Sequence, residues 1–239
     1  MIRSTNNPSE FRPTDRRAVA LVSGGLDSVV SLAVADKELD IELVLFCNYG
    51  QRSLAKEQSS VIDVAGYYGL PFLEVNIGWL KELSPEGMRG GDKRARPADT
   101  TNVNGLDSLD AVWVPNRNGV FLNVAAAFAE RYGCGKVVTG FNRDEAVEFR
   151  DNSSEYVDAI NRSFEFSTRN GIRVVSYTLN LTKREILRKG IELGVPFGTI
   201  WSCYRGGERM CGRCASCQRL KSAIDSLPDE QRPLIEFEA

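Results

Sequence analysis

Short runs of branched apolar residues alternate with longer amphipathic stretches along most of the chain. The runs 18–22, 41–47, 71–77, 136–140 and 172–177 read as strands, because branched and aromatic side chains suit a pleated surface and Gly, Pro or Asn bounds each run. Between them, 26–38, 54–68, 120–128, 155–164 and 183–193 carry helical spacing. Asn152 or Ser153 can cap the fourth, while Gly194 and Pro196 close the fifth. Strands alternating with helices of this length predict parallel crossovers, hence an α/β fold with an open parallel sheet and helices on both faces. Ligands in such sheets bind beyond the carboxyl ends of the strands.

Two stretches escape the alternation. Residues 1–16 are polar, include Asn6, Asn7, Pro8 and Pro13, lack the apolar core of a signal peptide and read as a disordered lead-in. Residues 83–111 set Pro85, Gly87, Gly90, Gly91, Pro97 and Gly105 around the basic cluster Arg89, Lys93, Arg94 and Arg96. A long aperiodic insertion of this kind is either a lid whose arginines close over phosphates or a solvated loop. The division expected is a lead-in at 1–16, one α/β domain at 17–200 and a cysteine-bearing segment with a terminal helix at 201–239.

Composition narrows the function. At 239 residues, 42% hydrophobic and 26% charged, the chain can bury a full core, and its net charge of −2 creates no global field to recruit nucleic acid. A small-molecule substrate is the better default. No run approaches membrane-spanning length, so a cytoplasmic protein is expected. Histidine is absent altogether, and acid/base work falls to Asp, Glu, Lys, Tyr or the substrate itself.

The first strand runs into Ser23-Gly24-Gly25-Leu26-Asp27-Ser28. A glycine pair between hydroxyl residues at a strand-to-helix turn lets backbone approach an anion, and the new helix directs N–H groups and its positive dipole end toward it. Asp27 at an anion site is best explained by a metal ion that travels with phosphates. No Lys follows the second Gly, so this is not the Gly-x4-Gly-Lys loop. Instead the stretch resembles the pyrophosphate-binding loop of the ATP pyrophosphatases, which adenylate an oxygen and release pyrophosphate. Tyr49-Gly50-Gln51-Arg52, after the second strand, is a candidate second wall of the nucleotide site, and Arg117 can pair with a carboxylate or phosphate.

The cysteines Cys203, Cys211, Cys214 and Cys217 are spaced Cys-x7-Cys-x2-Cys-x2-Cys. Four thiolates on short knuckles suit a closed, structural Zn²⁺ site; an iron–sulfur cluster and two disulfides stay open as alternatives. Arg205, Arg209, Arg213 and Arg219 are expected to offset the thiolate charge. Cys47 and Cys134, near apolar strands, read as small core residues.

Taken in order, SGGLDS at 23–28, NYGQR at 48–52, VWVPNRN at 112–118, TGFNRDEA at 139–146, and SCYR with CGRCASC between 202 and 217 resemble the 7-cyano-7-deazaguanine synthase family of the queuosine and archaeosine pathway, over 18 to about 224. The resemblance implies an adenine-nucleotide α-hydrolase-like domain of the PP-loop type with a small C-terminal zinc-binding subdomain. It implies ATP-dependent conversion of 7-carboxy-7-deazaguanine and ammonia to a nitrile through adenylate and amide intermediates, with ATP, Mg²⁺ and Zn²⁺, in a homodimer. The nucleotide would be held by Leu21, Val22, Ser23, Gly24, Gly25, Leu26, Asp27, Ser28, Tyr49, Gln51 and Arg52. Asp27 would help hold Mg²⁺, Arg117 would orient the carboxylate or phosphate, and Glu145, Asp151 and Arg205 would serve base recognition or proton handling. Arg150 stands where that pattern carries Pro, and Asn116 where it usually has a small residue, both in reach of a base pocket. Two other readings follow from these features. One is a relative that stops at the amide or passes the adenylate to a protein amine; the other is a non-catalytic zinc-binding RNA module, suggested by the arginine-rich cysteine segment.

Overall fold

The computed structural model of the protein describes residues 14–85, 88–89 and 112–238. Strands β1 (Thr14–Leu21), β2 (Asp40–Asn48), β3 (Phe72–Asn76), β4 (Cys134–Thr139) and β5 (Arg173–Ser176) form one parallel sheet in the order β3-β2-β1-β4-β5. The central strand reads Ala-Val-Ala at its middle, and these side chains are buried on both faces, as a parallel sheet requires.

Helices α1 (Leu26–Glu38), α2 (Leu54–Tyr68), α3 (Arg117–Arg131), α4 (Arg143–Glu148), α5 (Ser154–Ser167), α6 (Lys183–Leu193) and α7 (Ala215–Asp225) supply the outer layers. Apolar positions of α1, α2, α6 and α7 pack on one face of the sheet, with Val30, Val61, Ile186 and Leu220 among them. Leu122 and Ala126 of α3 and Val157 and Phe164 of α5 cover the other. Three helices, α1, α2 and α6, begin and end where the periodicity predicts. Ser153, not Asn152, caps α5, accepting from the Tyr156 N–H at 3.2 Å. Thr182 and Glu185 form a reciprocal capping box on α6, and Gly194 ends it in the left-handed conformation.

Several boundaries move. β1 begins at Thr14, within the stretch read as lead-in, and Arg17 pairs with Glu42 of β2 at 2.8 Å. Residues 1–13 lie outside the described residues, as do most of 83–111 and the basic residues Lys93, Arg94 and Arg96. Arg89 donates to the carbonyls of Ser84 at 2.7 Å and Glu82 at 3.1 Å, so its guanidinium ties down local backbone. α3 starts at Arg117, earlier than its apolar pattern suggests, because Asn116 turns the chain with φ of 52°. Asn tolerates that conformation better than other residues with a Cβ. The short α4 lacks the length for a visible period; Asn142 caps it by accepting from the Glu145 N–H at 2.9 Å.

Candidate active site and metal centre

The chain runs outward from β1 to β3 on one side and from β4 to β5 on the other, so the sheet has its topological switch point between β1 and β4. A cavity of about 230 Å³ opens at the carboxyl ends of these strands. SGGLDS follows β1 directly and TGFN spans the end of β4, which brings two of the motifs to one place.

The two glycines of the loop do different things. Gly24 has φ of +80°, and a Cβ there would sit 2.6 Å from Ser60 Oγ of α2, which itself donates to the Gly24 carbonyl at 3.1 Å. Gly24 therefore lets the loop press against α2; it does not line the cavity, whereas Gly25, Ser23, Asp27 and Ser28 do. Ser28 Oγ donates to the Gly25 carbonyl at 3.0 Å and lies 3.2 Å from Ser23 Oγ, closing the turn on itself. Leu26 is buried in the core beneath, while Leu21 and Val22 reach the cavity wall.

Gly140, at the end of β4, is required by close approach. A Cβ there would lie 2.5 Å from Ser28 N and Cα, backbone atoms that cannot swing aside. Gly140→Ala is expected to push α1 off β4, lowering stability by roughly 1–3 kcal/mol as overpacking does and lowering turnover with it. Matching wild-type Tm and kcat would show that this junction has slack.

Asp27, Glu145 and Lys183 converge on the cavity. Lys183 Nζ lies 2.5 Å from Asp27 Oδ2 and 3.5 Å from Glu145 Oε1, and Asn142 Nδ2 donates to Asp27 Oδ2 at 3.2 Å. Burial works to lower the Lys183 ammonium, yet Asp27 and Glu145 together hold it above its ordinary range. Burial pushes the Asp27 carboxyl up, and Lys183 only partly opposes this. For Glu145 the balance reverses: burial works to raise its carboxyl, but Lys183 and Arg219 hold it below the usual range. Among the described residues, Asp27 Oδ1 is buried with no hydrogen-bond partner. A carboxylate oxygen left unpartnered beside phosphate-type backbone geometry fits a cation brought in with a ligand.

Arg117, the first residue of α3, lies over the Tyr49 ring at 5.7 Å and donates to Tyr49 Oη at 3.3 Å. It makes no ion pair among the described residues. Burial works against its charge; Tyr49 and Tyr204 favour it more. Asp151 lines the same cavity, its carboxyl raised by burial against the pull of Arg117. Gln51 lines it as a strut, accepting from the Tyr49 N–H at 3.0 Å and donating to Glu57 at 2.8 Å. Arg52 and Arg205 do not line it, nor do Arg150 and Asn116, both exposed, so the departures from the family pattern fall outside the cavity wall.

Sequence reasoning missed Lys183, Asn142, Trp113, Trp201, Ser202 and Tyr204 as members of this site. Lys183 did leave a signal: a lysine at the first position of a helix opposes the dipole there, so another interaction must hold it.

The four cysteine sulfurs 203, 211, 214 and 217 are all buried and lie within 4.8 Å of one another, unpaired by disulfides. Sulfurs at the corners of a tetrahedron with bonds of about 2.3 Å are about 3.8 Å apart, and Cys211 and Cys217 are 3.9 Å apart. Cys203 Sγ accepts from the N–H groups of Arg205 at 3.3 Å and Cys211 at 3.4 Å, and Cys211 Sγ from Cys214 at 3.3 Å. Cys214 caps α7, whose dipole favours thiolate there. The crowded thiols act on one another: contacts from Cys203 and Cys217 lower the Cys214 thiol, and Cys214 raises that of Cys203. Only a bound cation lets all four be thiolates, and the donor set fits a metal ion.

Three of the four arginines behave otherwise than expected. Arg209 pairs with Glu236 at 3.2 Å, Arg213 with Glu238 at 3.4 Å and Arg219 with Glu148. Backbone N–H groups and the α7 dipole therefore face the sulfurs in their place, and the basic segment is largely neutralised. Cys47 and Cys134 are buried core residues, and burial pushes both thiols up to about 12.

The metal segment is joined to the loop by Trp201 N donating to the Gly24 carbonyl at 2.9 Å and by Ser202 Oγ accepting from Leu26 N at 3.5 Å. These bonds tie the sulfur cluster to the cavity floor.

Comparison with known proteins covers all of these parts together. The family model described as Queuosine biosynthesis protein QueC matches residues 17–227. A 7-cyano-7-deazaguanine synthase of Carboxydothermus hydrogenoformans is 45% identical, over 87% of this chain and 97% of its own length. One of Methanosarcina barkeri is 40% identical, over 87% and 93% respectively. Among solved structures, the U34-tRNA thiolase NcsA from Methanococcus maripaludis, with its 4Fe-4S cluster, gives a TM-score of 0.50 at 13% identity, covering 93% of this chain and 69% of that one. That likeness is one of fold. Because the matched span takes in the sheet, the cavity and the sulfur cluster, and relatives of nearly full length share two residues in five or more, the chain belongs to the QueC family.

Proposed function

We propose that the chain is an ATP-dependent ligase that converts 7-carboxy-7-deazaguanine and ammonia into 7-cyano-7-deazaguanine, the product named in its relatives. The observation that carries this is one cavity in which, among the described residues, Asp27 Oδ1 is buried without a partner while the buried Lys183 and the half-buried Arg117, which makes no ion pair there, face the same space. That is a site for an anionic phosphate chain and an anionic second substrate.

A carboxylate cannot expel oxide, so it must first be given a leaving group. Its oxygen attacks the α-phosphorus of ATP and pyrophosphate departs. Ammonia then attacks the acyl carbon and loses a proton, and AMP leaves with the former carboxylate oxygen, giving the amide. The amide oxygen attacks the α-phosphorus of a second ATP and expels pyrophosphate; loss of AMP and of both amide protons then leaves the nitrile. Ser23, Gly25 and Ser28 cradle the pyrophosphate, and Asp27 is the group to hold Mg²⁺, which supplies charge neutralisation on the phosphates when bound. Lys183, pinned between Asp27 and Glu145, holds a positive charge where the departing phosphates gather negative charge. Arg117 orients the substrate carboxylate toward the α-phosphorus. We assign Zn²⁺ to the four cysteines as a structural ion with no open position.

Incubation with ATP, ammonium and 7-carboxy-7-deazaguanine is expected to yield two AMP per nitrile, and the corresponding amide is expected to be consumed with one. Amide or a protein-linked deazaguanine as the final product, with one AMP, would overturn the synthase reading in favour of a conjugating relative.

A further inference from the structure

Beyond the phosphate cradle, the cavity has a second wall of different chemistry. Trp113 and Phe149, far apart in sequence, both line it, and their rings are parallel to within 2° at a centroid distance of 6.1 Å. Trp113 is 41% exposed, a large apolar surface left in the open at the edge of the cavity. Its orientation is not left to chance. Phe149 N–H donates to the Glu145 carbonyl at 2.7 Å and Asn152 N–H to the Phe149 carbonyl at 2.9 Å, which fixes the turn carrying the ring. Val114, next to Trp113, is buried, and its carbonyl accepts from Arg117 N at 3.2 Å.

The same turn carries Asp151. Asn152 Nδ2 donates to its Oδ1 at 3.2 Å. A carboxylate held by a side-chain amide presents acceptors in a fixed plane. Two neighbouring N–H donors, as on the N1 and 2-amino edge of a guanine-type ring, match it. The adenine edge does not, because it offers one donor beside an acceptor that the carboxylate repels. Resting on the deazaguanine reading of this cavity, we propose that Trp113 and Phe149 form the wall on which the substrate's bicyclic ring stacks, and that Asp151 reads its two edge donors. Arg117, the first residue of α3, takes the carboxylate. The adenine of ATP is left to the β1 and β2 ends around Leu21, Val22, Phe46 and Cys47.

Trp113→Ala, Trp113→Phe and Asp151→Asn, each in the full chain, test this. Base–aromatic stacking corresponds to roughly five- to a hundredfold in binding, so Trp113→Ala is expected to raise KM for 7-carboxy-7-deazaguanine by that factor. KM for ATP should stay within about twofold, and Trp113→Phe should recover most of the loss. Wild type is expected to prefer 7-carboxy-7-deazaguanine over the analogue lacking the 2-amino group, and Asp151→Asn to erase that preference. A rise in KM for ATP with Trp113→Ala would put adenine on the wall and overturn the proposal, as would unchanged base KM in an enzyme that turns the base over. Wild-type protein inert toward the base would instead sink the functional reading itself.

Discussion

Asp27→Asn is expected to abolish ATP-dependent turnover while leaving the protein folded. The substitution keeps the shape of the side chain and can keep its contact with Asn142, but it removes the charge that Lys183 faces at 2.5 Å and that a phosphate-borne cation would meet at Oδ1. Removing one preorganised electrostatic group from a buried reaction site costs roughly a hundred- to a thousandfold in kcat, and loss of a metal ligand adds to it. Stability should respond differently. Burial raises the Asp27 carboxyl, so its folded-state affinity for a proton exceeds the unfolded one. A carboxyl shifted in that direction costs the folded state stability at every pH above its unfolded value, neutral pH included. Taking the charge away relieves that cost, while Lys183 retains Glu145 at 3.5 Å. The Tm is therefore expected to stay within a few degrees of wild type or to rise, as at sites where function is held at the expense of stability. Full kcat in the variant with Mg²⁺ present would remove Asp27 from the chemistry. A fall in Tm matching the loss of activity would make it a structural residue.

What was readable in advance follows the range of the interactions. SGGLDS and the cysteine segment are legible as motifs within a few residues; β2 to β5 and the helices α1, α2 and α6 are read to within a residue or two. Lys183 is 156 positions from Asp27, and only the parallel crossovers through β4 and β5 bring it to the end of β1. Gly140 is needed because of an atom of Ser28, not because of its own neighbours. Adjacency in sequence suggests that the arginines of the cysteine segment compensate the sulfurs. Their glutamate partners, Glu148, Glu236 and Glu238, come from α4 and the chain's last residues, and geometry decided between the two. Trp113 and Phe149 are single aromatics in loops, without period, and become a wall only when α3 and α4 meet at the cavity.

Removal of the metal is expected to have the other large effect, and to reach the nucleotide site. Among the described residues, the segment from Trp201 to Cys214 holds no helix, and of its buried core positions Cys203, Met210, Cys211 and Cys214 three belong to the sulfur cluster. Structural Zn²⁺ on four thiolates contributes on the order of 10 kcal/mol or more in small peptides, comparable to the roughly 5–15 kcal/mol that holds an ordinary domain together. Cys214→Ser replaces one of the four sulfur ligands, at the N-cap position of α7. It should yield insoluble protein or a Tm lower by 10 °C or more on this scale. The coupling to function runs through two bonds: Trp201 N–H to the Gly24 carbonyl and Leu26 N–H to Ser202 Oγ. If the segment loosens, the loop proposed to cradle pyrophosphate loses its floor. Stepwise chelation, with zinc and iron measured by plasma mass spectrometry, is therefore expected to show one zinc per chain, and ATP affinity should fall in parallel with zinc before the sheet unfolds. Iron in place of zinc, with visible absorbance, would assign the four sulfurs to a cluster. Metal-free protein that stays soluble and keeps its affinity for ATP would break the link between the cluster and the loop.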